Sequence, residues 1–198
     1  MSKGRLEAFS DGVIAVAITL LVLDLVVPAP GLHHQTLAHN LGREWPRYVA
    51  YVVSFVTIGI IWINHHAVLR RLEEVDHTLL IVNLLVLLTI GVLPFATSLM
   101  ATYLNESAGQ HLAAAVYAGA FLLMSLAFSA LNWQLLVGRP HLSAERLDEA
   151  RRRAILRRRL TGVIPYLIAT ALAAVSAYAT LAVCAAVAVF YALPASEP

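Results

Sequence analysis

Asp11 is the side chain whose position in the sequence most restricts its chemistry. It lies in an apolar stretch, and the next charged residue after it is Asp24. At about 1.5 Å of rise per residue, a helix over 6–27 would be about 33 Å long, enough to cross a bilayer core of about 30 Å. A carboxyl group in hydrocarbon costs about 2.5 kcal/mol or more near the bilayer centre, so it normally faces protein or water and has a polar partner.

Polar side chains that could pair with Asp11 occur at a similar depth in three later apolar segments. By helical rise, Asp11 lies about 7 Å from the inner end of its segment, and the candidates lie about 6 to 9 Å from the inner ends of theirs. These candidates are Asn64, His65, His66, Asn83 and Asn132. Because polar groups within lipid pair with one another, we predict a hydrogen-bonded network that holds the first helix against its neighbours.

An apolar stripe lies on a different side of the same predicted helix. Val16, Leu20 and Leu23 share one face of a helix that turns about 100° per residue, and Thr19 lies at its flank. Asp11 is about 140° from Val16 around the axis, so the carboxyl group and the stripe cannot face the same direction. A stripe of this kind faces lipid, another helix or a water-filled path, and the pattern alone does not distinguish these surroundings.

The stretch that begins at Arg5 has the pattern Arg, three residues, then Phe-Ser-Asp. Together with the apolar helix that follows, it resembles the first-helix signature of the transmembrane protein 175 potassium-channel family, in the bacterial form with one six-helix unit per chain. The resemblance is dense over 5–25, and later segments fit it as well. It implies a homotetramer in which the first helix of each subunit lines a central path for K+.

The resemblance also implies roles for individual positions on the first helix. In the family, apolar positions form the narrow part of the path, a hydroxyl lies beside it, and the signature residues brace the helix against its neighbours. The matching residues here are Val16, Leu20 and Leu23 for the constriction and gate, Thr19 for the hydroxyl, and Arg5, Phe9, Ser10 and Asp11 for bracing. No TVGYG filter occurs in the chain, so K+ selectivity would come from the constriction and Thr19.

The composition is typical of an integral membrane protein. The chain has 198 residues, of which 60% are hydrophobic and 13% charged, whereas soluble domains carry roughly 25% charged residues. We predict an all-α polytopic protein that forms a single domain over 1–198. Its six predicted membrane spans are 6–27, 47–69, 77–103, 111–137, 160–176 and 178–193.

The distribution of basic residues predicts the orientation of the chain in the membrane. The segment 139–159 is rich in arginine, and of the 14 Lys and Arg residues only Arg43 and Arg47 fall on the opposite side of the predicted spans. Basic residues accumulate in cytoplasmic loops, so both termini are predicted to lie in the cytoplasm, with the protein in the plasma membrane. This topology signal, which also suits anionic lipid headgroups, explains the basic segment without nucleic acid as a partner.

Two other function classes remain open at this stage. A proton-coupled secondary transporter could use Asp11 and His65 as a relay, although inverted repeats and broken helices are not evident. A noncatalytic membrane scaffold is the third possibility. Asp24 could belong to an outer ring of charges that concentrates cations, or simply mark the membrane interface.

Enzymatic, cofactor and metal chemistry find little support in the sequence. It contains no HExxH, GxSxG or P-loop motif, so we predict neither an enzyme nor a bound cofactor. His65 and His66 are adjacent, and neighbouring residues on a helix point about 100° apart, which disfavours joint ligation of a metal. Permeating K+ is the one metal ion predicted to contact the chain.

Overall fold

The computed structural model describes residues 2–27, 36–139, 142 and 162–193. The regular elements in these residues are helical, which confirms the predicted all-α fold class. The helices are α1 Lys3–Leu20, α2 Leu37–Arg43, α3 Trp45–Arg70, α4 His77–Tyr103, α5 Gln110–Trp133, α6 Val163–Leu172 and α7 Ala177–Ala192. Most of the arginine-rich segment 139–159 lies outside the described residues.

The first helix changes its winding before the end of its predicted span. Its α-helical part stops at Leu20, a 3-10 turn continues over Leu21–Asp24, and the chain is no longer helical at Val27. The span predicted over 6–27 is therefore helical only as far as Asp24. Val27 precedes Pro28, and the residue before a proline is biased away from the helical region.

The core lies where α3, α4 and α5 meet, and it contains polar as well as apolar side chains. Tyr117 and Phe121 of α5 are fully buried, with their rings edge to face at 4.9 Å. The Ser54 hydroxyl of α3 is within 2.8 Å of the Thr97 hydroxyl of α4 and 3.1 Å of the Tyr117 hydroxyl. Because these buried groups pair with each other, they fix the three helices relative to one another.

One end of the bundle, which we call the Asp24 end, contains the last turn of α1 and the start of α3. Arg47 Nη1 donates to the Asp24 carbonyl oxygen over 3.4 Å. At the same end, His111 Nδ1 donates to the Ala173 carbonyl oxygen over 2.7 Å, which joins the start of α5 to the end of α6. Tyr178 of α7 donates to Asn105 in the loop between α4 and α5.

The opposite end, which we call the Lys3 end, contains the start of α1 and the end of α3. Lys3 Nζ donates to the Arg70 carbonyl oxygen over 2.9 Å. Asp76 caps α4 by accepting from the backbone N–H of Leu79, and it forms an ion pair with Arg139. The long helices thus alternate in direction along the chain, and polar contacts fasten both ends of the bundle.

The chain reverses direction between α6 and α7 earlier than the sequence suggested. The predicted spans 160–176 and 178–193 put this turn near residue 177, whereas α6 ends at Leu172 and α7 begins at Ala177. The Ser176 hydroxyl accepts from the backbone N–H of Ala179, so this serine caps α7 and the turn precedes it. Thr180 Oγ1 donates across the turn to the Ala169 carbonyl oxygen over 3.1 Å.

Four of the described helices are long and apolar enough to cross a membrane. They are α1 with its 3-10 turn, α3, α4, and α5 with the π-helical turn Gln134–Gly138 that follows it. The described parts of α6 and α7 have 10 and 16 residues. At 1.5 Å per residue, these helices are about 15 and 24 Å long, so the count of six spans stays a prediction.

Candidate functional site on the first helix

One side of α1 is buried within the subunit. Leu6, Ser10, Ile14, Ala17 and Leu21 are at most 3% exposed, and they recur every three or four residues along the helix. This spacing places them on a single face, which packs against α3 and α4. That contact fixes the rotation of α1 about its own axis, and therefore fixes which residues face away.

A second, exposed side of α1 carries the apolar stripe predicted from the sequence. Val16 is 57%, Leu20 is 44% and Leu23 is 72% exposed, and none of them lies in the core of the subunit. Thr19 is exposed beside them, and its hydroxyl donates to the Val16 carbonyl oxygen over 2.8 Å. The structure therefore leaves this surface available to lipid, to another subunit or to water, as the pattern allowed.

A shallow groove of about 550 Å³ runs along this exposed side of α1. Phe9, Gly12, Val16 and Leu20 of α1 line it, and Gly91 of α4 forms part of its opposite edge. Phe9 is 50% exposed, so its ring lies on the surface of the subunit rather than in the core.

A buried chain of hydrogen bonds joins α1 to the two helices behind it. Asn83 Nδ2 of α4 donates to the Ser10 hydroxyl of α1 over 3.0 Å. Asn83 Oδ1 lies 2.7 Å from His65 Nε2 of α3. With the amide nitrogen donating to Ser10, the amide oxygen must accept, so His65 carries its proton on Nε2. The three residues are fully buried, and they connect α1, α3 and α4 at one depth.

Asp11 does not take part in these buried hydrogen bonds, and its partner was not among the candidates from the sequence. Asp11 Oδ1 accepts a hydrogen bond from Trp62 Nε1 of α3 over 2.9 Å. Trp62 lies beyond the depth at which we searched, but its long side chain reaches the carboxylate. The sequence did contain a signal for this contact, because a tryptophan lies one helical turn from the depth that we searched. Its indole N–H can only donate, so it needs an acceptor such as a carboxylate.

Two of the predicted asparagines donate a hydrogen bond to a carbonyl of their own helix. Asn64 Nδ2 donates to the Ile60 carbonyl oxygen, and Asn132 Nδ2 donates to the Phe128 carbonyl oxygen, both over 2.8 Å. Arg5 lies exposed on the first turns of α1, and its guanidinium has no hydrogen bond or ion pair with the described residues.

The described residues contain no group of three His, Cys, Asp or Glu side chains that could hold a metal ion. His65 is engaged with Asn83, and the His66 ring lies 6.3 Å from the Trp62 ring. The two histidines thus have different neighbours.

Comparison with known proteins identifies the family. Residues 5–94 match the family model described as "Endosomal/lysosomal potassium channel TMEM175". A relative from Streptomyces collinus, named as a potassium channel, is 47% identical over 96% of this chain and 91% of its own length. This chain belongs to the TMEM175 family. The resemblance seen in the sequence is thereby confirmed.

Two further comparisons place the TMEM175 chain among its relatives. A protein from Chamaesiphon minutus, also named as a potassium channel, is 38% identical over 96% of this chain and 93% of its own length. A crystal structure described as a lysosomal potassium-selective channel TMEM175 homolog from the same organism covers 98% of each chain, with a TM-score of 0.86 and 35% identity. This TMEM175 chain, with its long apolar helices, is a multi-pass membrane protein.

Proposed function

We propose that this protein is the subunit of a potassium-permeable cation channel. The observation that carries the proposal is the exposed apolar stripe of Val16, Leu20 and Leu23 on a helix that has a separate face buried in the subunit. The names of the relatives from Streptomyces collinus and Chamaesiphon minutus support K+ as the permeating ion. Conduction along this stripe, rather than catalysis, would be the activity.

In the proposed assembly, four subunits place their α1 helices around a central axis. Rings of Val16, Leu20 and Leu23 would then form an apolar constriction, which opposes ion passage because water leaves a narrow apolar space easily. Thr19 would add hydroxyl groups beside the Val16 ring. The Thr19 hydroxyl already satisfies its proton at the Val16 carbonyl, so its oxygen lone pairs are available to a cation.

The hydrogen-bonded chain of Ser10, Asn83 and His65 would act as the brace of this pore. A helix that lines a path must resist rotation, because a turn of about 100° would replace one residue of the stripe with its neighbour. These hydrogen bonds anchor the buried face of α1 to α3 and α4 at one depth. Asp11 adds a second contact with α3 through Trp62.

The proton-coupled carrier remains the competing proposal, and the contacts weigh against its relay. Asp11 bonds to Trp62 and His65 bonds to Asn83, so no hydrogen bond joins the two proposed relay groups. Trp62 offers a single donor and no acceptor, so it cannot pass a proton onward.

We propose that the Lys3 end is cytoplasmic and that the protein lies in the plasma membrane. Lys3, Arg5, Arg70 and Arg139 lie at this end, whereas Arg43 and Arg47 lie at the other. This asymmetry supports a cytoplasmic N-terminus, and in that orientation Asp24 would lie at the outer mouth of the path.

Recording from the purified protein in a planar bilayer tests the channel proposal. Unitary K+ currents are expected, since a carrier moves ions too slowly to give them. Val16→Asn and Leu23→Asn should raise the current and lower the preference for K+ over Na+, whereas Val16→Phe should reduce the current. Leu123→Asn, at a leucine of α5 that is 59% exposed, is the matched control.

Results at these positions decide between the two proposals. Wild-type currents and reversal potentials in both asparagine variants of α1 would exclude the stripe as the lining of the path. Carrier-like flux without unitary events would favour the transporter instead.

A further inference from the structure

The last turn of α1 is fastened to α3 by one arginine. Arg47 Nη1 donates to the Asp24 carbonyl oxygen over 3.4 Å, and that oxygen also accepts from the backbone N–H of Val26. Asp24 ends the 3-10 turn that begins at Leu21. The carbonyls at the end of a helix have no partner within the helix, so the arginine supplies a second donor to an oxygen that otherwise has only the Val26 N–H.

Glu44 determines where the Arg47 guanidinium lies. Glu44 Oε2 accepts from Arg47 Nε over 2.6 Å, one turn earlier in the chain. The two groups are partly buried, with side-chain exposures of 32% for Glu44 and 23% for Arg47. A guanidinium has a fixed planar fork, so a carboxylate on Nε leaves the Nη groups free to reach another acceptor.

The arrangement has an electrostatic consequence for Asp24. An arginine so close to an aspartate would ordinarily pair with its carboxylate, but this one binds the backbone carbonyl of Asp24 and the carboxylate of Glu44. In the described part of the chain, no ion pair involves the Asp24 carboxylate. The Asp24 carboxylate, at the end of the apolar stripe, is thus left without an ion-pair partner among these residues.

We propose that Arg47, oriented by Glu44, is the positioning residue of the outer pore mouth. It holds the Leu21–Asp24 turn against α3, which fixes the position of Leu23 along the pore axis. It also leaves the Asp24 carboxylate free to attract cations. This inference rests on the proposed channel function for the effect on ions. The proposal that Arg47 holds the turn rests on contacts within one subunit and does not depend on the channel function.

Backbone hydrogen exchange tests the hold on the turn, with the full-length protein in lipid nanodiscs. The amides of Leu25 and Val26 bond to the carbonyls of Val22 and Asp24. In Arg47→Gln these two amides should exchange about tenfold faster, near the lower limit for the loss of one hydrogen bond from a charged group, because the bond is long at 3.4 Å. Glu44→Gln should change the rate in the same direction, and it provides the test if Arg47→Gln does not fold.

Arg43→Gln is the matched control for the exchange measurement. It removes the same charge from an exposed side chain of α2 that forms no ion pair with the described residues. Exchange that is faster in both test variants but not in this control supports the proposal. Equal exchange in all three variants and the wild type would overturn it.

Conductance tests the effect on Asp24. In Glu44→Gln the guanidinium loses its partner and becomes available to the Asp24 carboxylate, so inward K+ current at low external K+ should fall about twofold, as expected for one charge near the path. Asp24→Asn should give a similar fall, and the two changes combined should give no further fall. Additive losses would show that Glu44 does not act through Asp24, which overturns this part of the proposal.

The two measurements separate this inference from the channel proposal. Unchanged currents in Val16→Asn and Leu23→Asn would reject α1 as the pore helix, and the exchange rates would still decide whether Arg47 holds the turn. Altered currents in those variants, together with wild-type exchange in Arg47→Gln and Glu44→Gln, would overturn the role of Arg47 alone.

Discussion

Asn83→Ala removes few atoms, yet we expect it to cause a large loss of stability. The substitution removes the amide that donates to Ser10 and accepts from His65, over 3.0 and 2.7 Å. It leaves two fully buried polar groups without their partner, on two different helices. A buried group left unpaired costs about 1–3 kcal/mol, so two of them set an upper expectation of about 2–6 kcal/mol.

The membrane lowers this expectation. Hydrogen bonds between membrane helices average about 0.6 kcal/mol in double-mutant cycles, because the unfolded chain in lipid also finds partners. Two such bonds, together with the loss of packing around a truncated side chain, give about 2–4 kcal/mol. The assay is unfolding of the purified protein in mixed micelles, titrated with denaturing detergent, which reports the free energy of unfolding directly.

Asn132→Ala provides the matched control for this measurement. Asn132 is also a buried asparagine in a long helix, but its amide bonds to the Phe128 carbonyl of its own helix. Both variants lose the same atoms, so the difference between them isolates the contacts between helices. Equal losses in the two variants would refute the reasoning that the chain from Ser10 to His65 braces α1.

The Trp62–Asp11 contact, the Thr19 hydroxyl and the membrane topology can each be tested with one or two substitutions. Trp62→Phe keeps an aromatic ring but removes the donor to Asp11, so it should lower the yield of the assembled protein, measured by size-exclusion chromatography. Asp11→Asn should lower this yield as well. An unchanged yield together with altered ion selectivity would instead indicate that Asp11 lies in the path. Thr19→Ala removes a hydroxyl but little volume, so it should shift the reversal potential more than the conductance. With Cys184→Ser as background, Ser107→Cys should react with an impermeant thiol reagent on intact cells, and labelling after permeabilisation alone would contradict the topology.

The sequence was most informative for features that follow directly from the regular geometry of a helix. The face shared by Val16, Leu20 and Leu23 follows from helical geometry alone, and the structure places these residues on one exposed side of α1. The depth argument likewise selected His65 and Asn83, which do bond to each other. Both inferences used the regular rise and rotation of a helix.

Other contacts could not be predicted from the sequence because they depend on side-chain reach and on local changes of winding. Trp62 was missed because the depth argument used backbone positions, whereas an indole extends well beyond its own turn. Arg47 was counted only as a charge, since its bond to the Asp24 carbonyl requires α1 to end in a 3-10 turn beside α3. The early turn before Ser176 was missed because no Gly or Pro marks it.

The limited burial of α1 makes the subunit dependent on its surroundings. In the apolar window of this helix 28% of the residues are buried within the subunit, compared with 39%, 39% and 44% for the other three long helices. If neighbouring copies cover the remaining surface, mass action links the stability of α1 to the amount of protein per lipid. Dilution with added lipid should then loosen α1 before α3, α4 or α5, and hydrogen exchange across a series of protein-to-lipid ratios would follow that loss helix by helix.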